Sequence, residues 1–186
     1  KGLQLNIIHD LNRPFNELML GLEGWIPIYM TGQVSPYYLK QPNSEVFYHT
    51  LYVSEVSSLS GQGIKGNHKN SKYYLTSKKS ELPFYQVMAK NLLKKASPLM
   101  KIYTESNKNE FKKFIESEKN NKDNIIYDID NENLKSTFNN IDFKICKDKW
   151  VLISKKHNPE INFVIYHTTL RDAIEKFITP IIEKEL

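Results

Sequence analysis

A chain of 186 residues with 40% hydrophobic and 12% aromatic side chains can bury a sizeable core, which excludes wholesale disorder. Its single cysteine, Cys146, excludes an internal disulfide framework and a cysteine-rich zinc site. The formal charge is +5, yet Arg13 and Arg171 are the only arginines among 26 basic residues, which argues against a dedicated DNA reader built on bidentate arginine contacts.

Leu3 to Ile8 reads as a buried strand. Phe15, Leu18, Met19, Leu22, Trp25, Ile26 and Tyr29 recur at helical spacing, with Asn12 or Arg13 as cap, Pro14 in the first turn and Pro27 kinking or ending the helix. Strands are expected at Val34–Leu39 and Val46–Val56, then a glycine turn at Gly61–Gly66 and a short strand at Tyr73–Thr76. A second helix places Tyr85, Met88, Ala89, Leu92, Leu93 and Ala96 on one face and stops at Ser97-Pro98.

Leu99–Tyr103 is a further strand, followed by a short helix carrying Phe111, Phe114 and Ile115, and by a strand at Ile125–Ile129. Lys119–Asp123 and Asp128–Asn140 are polar loops, the latter with a helical turn at Leu134–Phe138. Phe143–Cys146 and Trp150–Ser154 form a hairpin over Lys147-Asp148-Lys149, in which Cys146 is a buried, inert thiol. After a turn at Asn158-Pro159, Ile161–Tyr166 is a strongly apolar strand. Thr168 then caps a last helix presenting Leu170, Ala173, Ile174, Phe177, Ile178, Ile181 and Ile182, kinked near its end by Pro180.

Strands alternating with amphipathic helices predict an α/β fold: one domain over 1–186, with a mixed sheet flanked by helices and halves of about 1–97 and 98–186. The two ends echo each other. Ile7-Ile8-His9 is followed four residues on by Arg13, and Ile165-Tyr166-His167 by Arg171, each at a helix start. Helix N-termini carry free N–H groups and partial positive charge, so His9, Arg13, His167 and Arg171 would together favour a phosphate or carboxylate. The alternative is that each Arg caps or pairs locally and each His fills a hydrogen-bonded niche. Tyr29 and Tyr37, in the clusters Trp25–Met30 and Pro36-Tyr37-Tyr38, either line that ligand site or a partner surface, or pack as core.

No motif asks for a cofactor or a metal. Gly61-Gln62-Gly63-Ile64-Lys65-Gly66 matches a dinucleotide-binding string, but Asn67-His68-Lys69-Asn70-Ser71 after it is no helix start. The five histidines lack metal-ligand spacing, and neither a serine nucleophile elbow nor a Walker loop is present. The lysines mix with acids, as in Lys112-Lys113 with Glu116 and Glu118, the pattern of a solvated helix face. No apolar run reaches the roughly 20 residues that span a bilayer. The start at Lys1-Gly2-Leu3, with neither Met nor a charged-then-apolar leader, reads as a cytoplasmic segment of a longer protein.

Ile7-Ile8-His9-x-x-x-Arg13, Trp25-x-Pro27-x-Tyr29-Met30-x-Gly32, Pro36-Tyr37-Tyr38, Pro98-Leu99-Met100-x-Ile102-Tyr103-Thr104 and Phe163-Val164-Ile165-x-His167 span most of the chain. This set resembles the region downstream of the DNA-binding segment in helix-turn-helix transcriptional regulators of low-GC Gram-positive bacteria. The arrangement is also similar to phospholipase D-like domains, whose two pseudo-repeated halves each bring a histidine to a shared phosphate site. Their signature is His, any residue, Lys, four residues, Asp; His9 is followed by Asp10-Leu11 and His167 by Thr168-Thr169, so the likeness implies a degenerate, binding-only relative.

The resemblances imply a non-catalytic sensor or effector domain of a transcriptional regulator, with a small anionic or phosphorylated ligand. Contact with DNA would go through a segment outside these residues; no membrane partner is expected, and a homodimer is compatible. Two alternatives stand beside it: a phosphodiesterase or transferase using His9 and His167 as nucleophile and acid, and an interaction or dimerisation module using the Trp25–Tyr38 surface.

Overall fold

The computed structural model describes residues 4–40, 46–129, 141–155 and 157–182. The expected first-strand start at Leu3, the loop over 130–140 and its helical turn at Leu134–Phe138 lie outside them. In chain order the elements are β1 (Leu5–His9), α1 (Phe15–Tyr29), β2 (Val34–Tyr38), β3 (Phe47–Val53), β4 (Ser58–Ile64), β5 (Lys72–Thr76), α2 (Leu82–Lys95) and β6 (Ser97–Pro98). There follow β7 (Lys101–Tyr103), α3 (Lys108–Asn120), β8 (Ile126–Ile129), β9 (Ile141–Cys146), β10 (Trp150–Lys155), β11 (Ile161–Ile165) and α4 (Thr168–Ile182).

Among the described residues the fold is mixed α/β, with four α-helices and three sheets, one of mixed strand direction. These residues divide into two compact units. The first takes in those up to Ile7, Arg13–Pro36 and those from Pro98 onward; the second takes in Ile8–Asn12 and Tyr37–Ser97. Among the described residues no helix is long and apolar enough to cross a membrane.

The first unit is built on a five-stranded antiparallel sheet of order β7-β11-β10-β9-β8. Strands β10 and β11 are buried on both faces. Val151, Leu152, Ile153, Ile161, Phe163, Val164 and Ile165 are each at most 2% exposed. This explains why they read as continuous apolar runs rather than as an alternation. On one face, Tyr103, Val164, Leu152, Trp150 and Cys146 pack under Phe111, Phe114 and Ile115 of α3. On the other, Phe163 meets the edge of the Tyr29 ring from α1 at 6.2 Å between centroids, while α4 packs on β10 and on α1.

Several helix boundaries differ from expectation. Pro14 itself occupies the N-cap of α1 and no side chain caps it, so neither Asn12 nor Arg13 does so. The helix runs two residues past Pro27 and ends through Gly32, whose φ of 72° suits glycine. Thr168 is the first residue of α4 rather than its cap: the His167 carbonyl accepts the Arg171 N–H.

The second unit pairs β3, β4 and β5 antiparallel, in that order, with α2 packed on β3. The expected turn at Gly61–Gly66 is mostly strand. Gly61 and Gly63 lie inside β4, and Gly66, at φ 78°, makes the turn. The reason is close approach: Gly61 pairs with Thr50 and Tyr73, and a Cβ there would stand 2.6 Å from the Tyr73 ring. At Gly63 a Cβ would clash with the Ser71 hydroxyl and stand 2.9 Å from its Cβ.

Because the Ser71 Cβ is the root of its side chain, rotation about χ1 cannot move it aside, and the backbone at Ser71, just ahead of β5, must shift. Gly63→Ala is therefore expected to destabilise the second unit by about 1–3 kcal/mol, measured as a lower urea midpoint. Gly66→Ala, with open space around it, should cost only the strain of its left-handed backbone.

Candidate functional site

The nominated residues fall in different surroundings. His9, at the end of β1, and Tyr37, in β2, are half-buried and belong to the second unit. Arg13 is exposed in the loop ahead of α1, in the first unit. Tyr29 is core: it is 2% exposed, stacks on Trp25 at 6.2 Å and meets Phe163, and burial pushes its phenol pKa up. His167 stands just ahead of α4, where its carbonyl accepts the Arg171 N–H, and burial lowers the His167 pKa.

Arg171 behaves as a local clamp. Its Nη1 donates to the Asp148 carbonyl at 2.6 Å, in the β9–β10 turn where Asp148 adopts φ 59°. Its Nε and Nη2 both donate to Asp172 Oδ1, at 2.9 and 2.6 Å, and only 12% of the side chain is exposed. Glu175 stands 3.8 Å from Nε; loss of water raises its pKa more than the guanidinium lowers it. An incoming anion would have to compete with a carboxylate already in place.

A second polar network supports the far side of the same sheet. Trp150 Nε1 donates to Glu118 Oε2 at 2.7 Å, and Asn124 Nδ2 donates to the same oxygen at 2.8 Å. Lys149 in turn donates to Asn124 Oδ1. A buried indole N–H needs an acceptor, and Glu118 supplies it from the last turn of α3. Cys146 is fully buried beside Trp150, and burial pushes its thiol pKa up.

The second unit holds an open surface recess. Pro83, Phe84, Val87, Met88, Asn91, Leu92 and Lys95 of α2 line a recess of about 620 Å³. Their spacing accounts for its shape. Pro83, Val87, Asn91 and Lys95 form one ridge four residues apart, Phe84, Met88 and Leu92 the next, and the recess is the groove between them. Phe84 is 63% exposed, Val87 57% and Met88 38%.

Two contacts hold α2 to its unit. Gln86 Nε2 donates to the Ser54 carbonyl at 3.3 Å. At the N-terminus Glu81 accepts from Tyr74 Oη at 2.7 Å, Thr76 Oγ1 at 2.8 Å and Lys78 Nζ at 3.0 Å. These donors, Tyr74 first, pull the Glu81 pKa down to about 2. The groove was not among the sequence-nominated sites, yet its signal is in the sequence. Phe84 and Val87 fall outside the 85/88/89/92/93/96 stripe, so the helix has more apolar residues than its buried face needs.

Arg171→Ala removes a mostly buried side chain and its charge-assisted bond to the Asp148 carbonyl in the β9–β10 turn, for an expected loss of about 1.5–3 kcal/mol in urea unfolding. Asp172→Asn should change little, since its carboxylate is 61% exposed. Glu81 gives a pH signature. The folded carboxylate holds its proton less tightly than the unfolded one, whose ordinary value is 4.5. Its contribution is complete above that value and is lost as pH falls towards 2. Acid titration of stability should show this limb in the wild type and lose it in Glu81→Gln.

No family model, curated protein or solved structure matches the chain, so its function is read from its residues and their geometry.

Proposed function

We propose that this chain is a non-catalytic effector domain of a bacterial transcriptional regulator, acting through what it binds. The observation that carries the reading is the open apolar groove on α2, set against ionisable groups engaged within their own units. Arg171 is bonded to Asp172 and the Asp148 carbonyl, Glu81 to Tyr74, Thr76 and Lys78, and Glu118 to Trp150 and Asn124. Catalysis needs a nucleophile, base or charge stabiliser aimed at a substrate. The groove offers a contact surface instead.

The likeness to the region downstream of a helix-turn-helix segment supports this reading. Within it, the phospholipase D-like relationship is that of a relative that has kept binding and lost the Lys and Asp of the signature. A small phosphate or carboxylate effector is favoured at the start of α4, where His167 and Arg171 share a turn, and it would displace Asp172 from the guanidinium.

The expected outcome is no hydrolysis of a chromogenic phosphodiester above buffer, and weak, sequence-independent binding of labelled promoter DNA at physiological salt. Turnover abolished by His167→Ala would establish the enzyme alternative and overturn the proposal. So would tight, sequence-selective DNA binding by these residues alone.

A further inference from the structure

We infer that the α2 groove docks an amphipathic helix of a partner protein whose apolar stripe is flanked by Asp and Glu. This rests on the effector reading and names the partner of its binding surface. Shape gives the first argument. The groove lies between the ridges Pro83–Val87–Asn91–Lys95 and Phe84–Met88–Leu92, and a groove between rows four residues apart receives a ridge of side chains from a second helix. Fluid hydrocarbon needs no such groove. A helix lying on a bilayer presents a broad apolar face, whereas here Asn91 and Lys95 stand within the contact area.

Charge gives the second argument. From Leu82 to Lys95 the helix holds three lysines and no acid. Lys90 and Lys94 follow Gln86 on the row flanking the Pro83–Lys95 ridge, Lys95 closes the groove at its C-terminal end, and all three lysines are exposed. Two copies of α2 placed face to face would set these lysines against a helix with no carboxylate to meet them. A partner with carboxylates beside its apolar stripe complements them, which fixes register and selects against basic helices. Met88, unbranched and adaptable, suits the floor of such a groove.

The test uses the chain with a synthetic, staple-fixed helical peptide of about four turns, carrying leucines at i, i+3, i+4 and i+7 and glutamates along both flanks. A matched peptide carries lysines at the flanking positions. Fluorescence anisotropy should show the acidic peptide binding about tenfold or more tightly than the basic one, with affinity falling as salt rises. Val87→Glu, an exposed position that leaves the fold intact, should abolish binding, with amide shifts in the wild type confined to α2. Replacing Lys90, Lys94 and Lys95 together by Glu should reverse the preference.

Equal binding of both peptides, no binding of either, or insensitivity to Val87→Glu would overturn the inference. It would also fall if Val87→Glu instead abolished binding to vesicles of mixed phosphatidylglycerol and phosphatidylcholine, or abolished concentration-dependent dimerisation. None of these outcomes involves turnover or DNA, so the effector reading stands or falls separately.

Discussion

Burial of β10 and β11 on both faces is the constraint on which the first unit depends. Each of their central side chains gains about 1.5–3 kcal/mol by leaving water, but only if both faces of the sheet are covered. Covering one face requires α3 with Phe111, Phe114 and Ile115; covering the other requires α1 and α4. The indole of Trp150 then lies under α3 with a polar N–H, and Glu118 has to reach it. The hairpin joining β9 to β10 turns through Asp148 in a left-handed conformation, and the carbonyl there is held by Arg171. These two polar contacts thus serve the placement of the apolar strands.

This dependence also explains how much was legible in the sequence. Ile161–Ile165 and Trp150–Ile153 were readable as strands because burial on both faces leaves an uninterrupted apolar run bounded by turn residues. The four helices were readable because each has one covered face. Gly61 and Gly63 were not: glycine in a short polar stretch resembles a turn, and only the approach of Tyr73 from β5 and of Ser71 just ahead of it shows that small size, not a bend, is what the positions require. Asn12 and Thr168 are good capping residues by type, but Pro14 and His167 take the terminal positions.

The candidate site was less legible still. The matched His and Arg at the two ends of the chain suggested a shared site, and the structure gives Arg171 a specific local task that spacing cannot reveal. Its partners, the Asp148 carbonyl and Asp172, are backbone geometry and an immediate neighbour. Tyr29 is similar: the cluster around it left pocket and core as alternatives, and stacking on Trp25 with edge contact to Phe163 places it in the core. The α2 groove left its trace only as surplus, in Phe84 and Val87 beyond what one buried stripe explains.

Magnitudes constrain what such a groove can do. Covering Phe84, Val87 and Met88 completely would gain at most about 1.5–3 kcal/mol for each side chain, and less in practice because each is already partly covered. Association costs an estimated 4–15 kcal/mol in lost freedom of motion. Apolar contact on this surface therefore roughly offsets the cost of docking and leaves little surplus. Whatever net affinity remains has to come from complementary charge at Lys90, Lys94 and Lys95, and exposed charge pairs contribute only about 0–1 kcal/mol each. A contact balanced in this way is weak, selective for the sign of its partner's charge, and released by modest changes in salt or in the partner's charge. Those are the properties of a regulatory contact, where a permanent subunit interface would need a larger and more apolar surface.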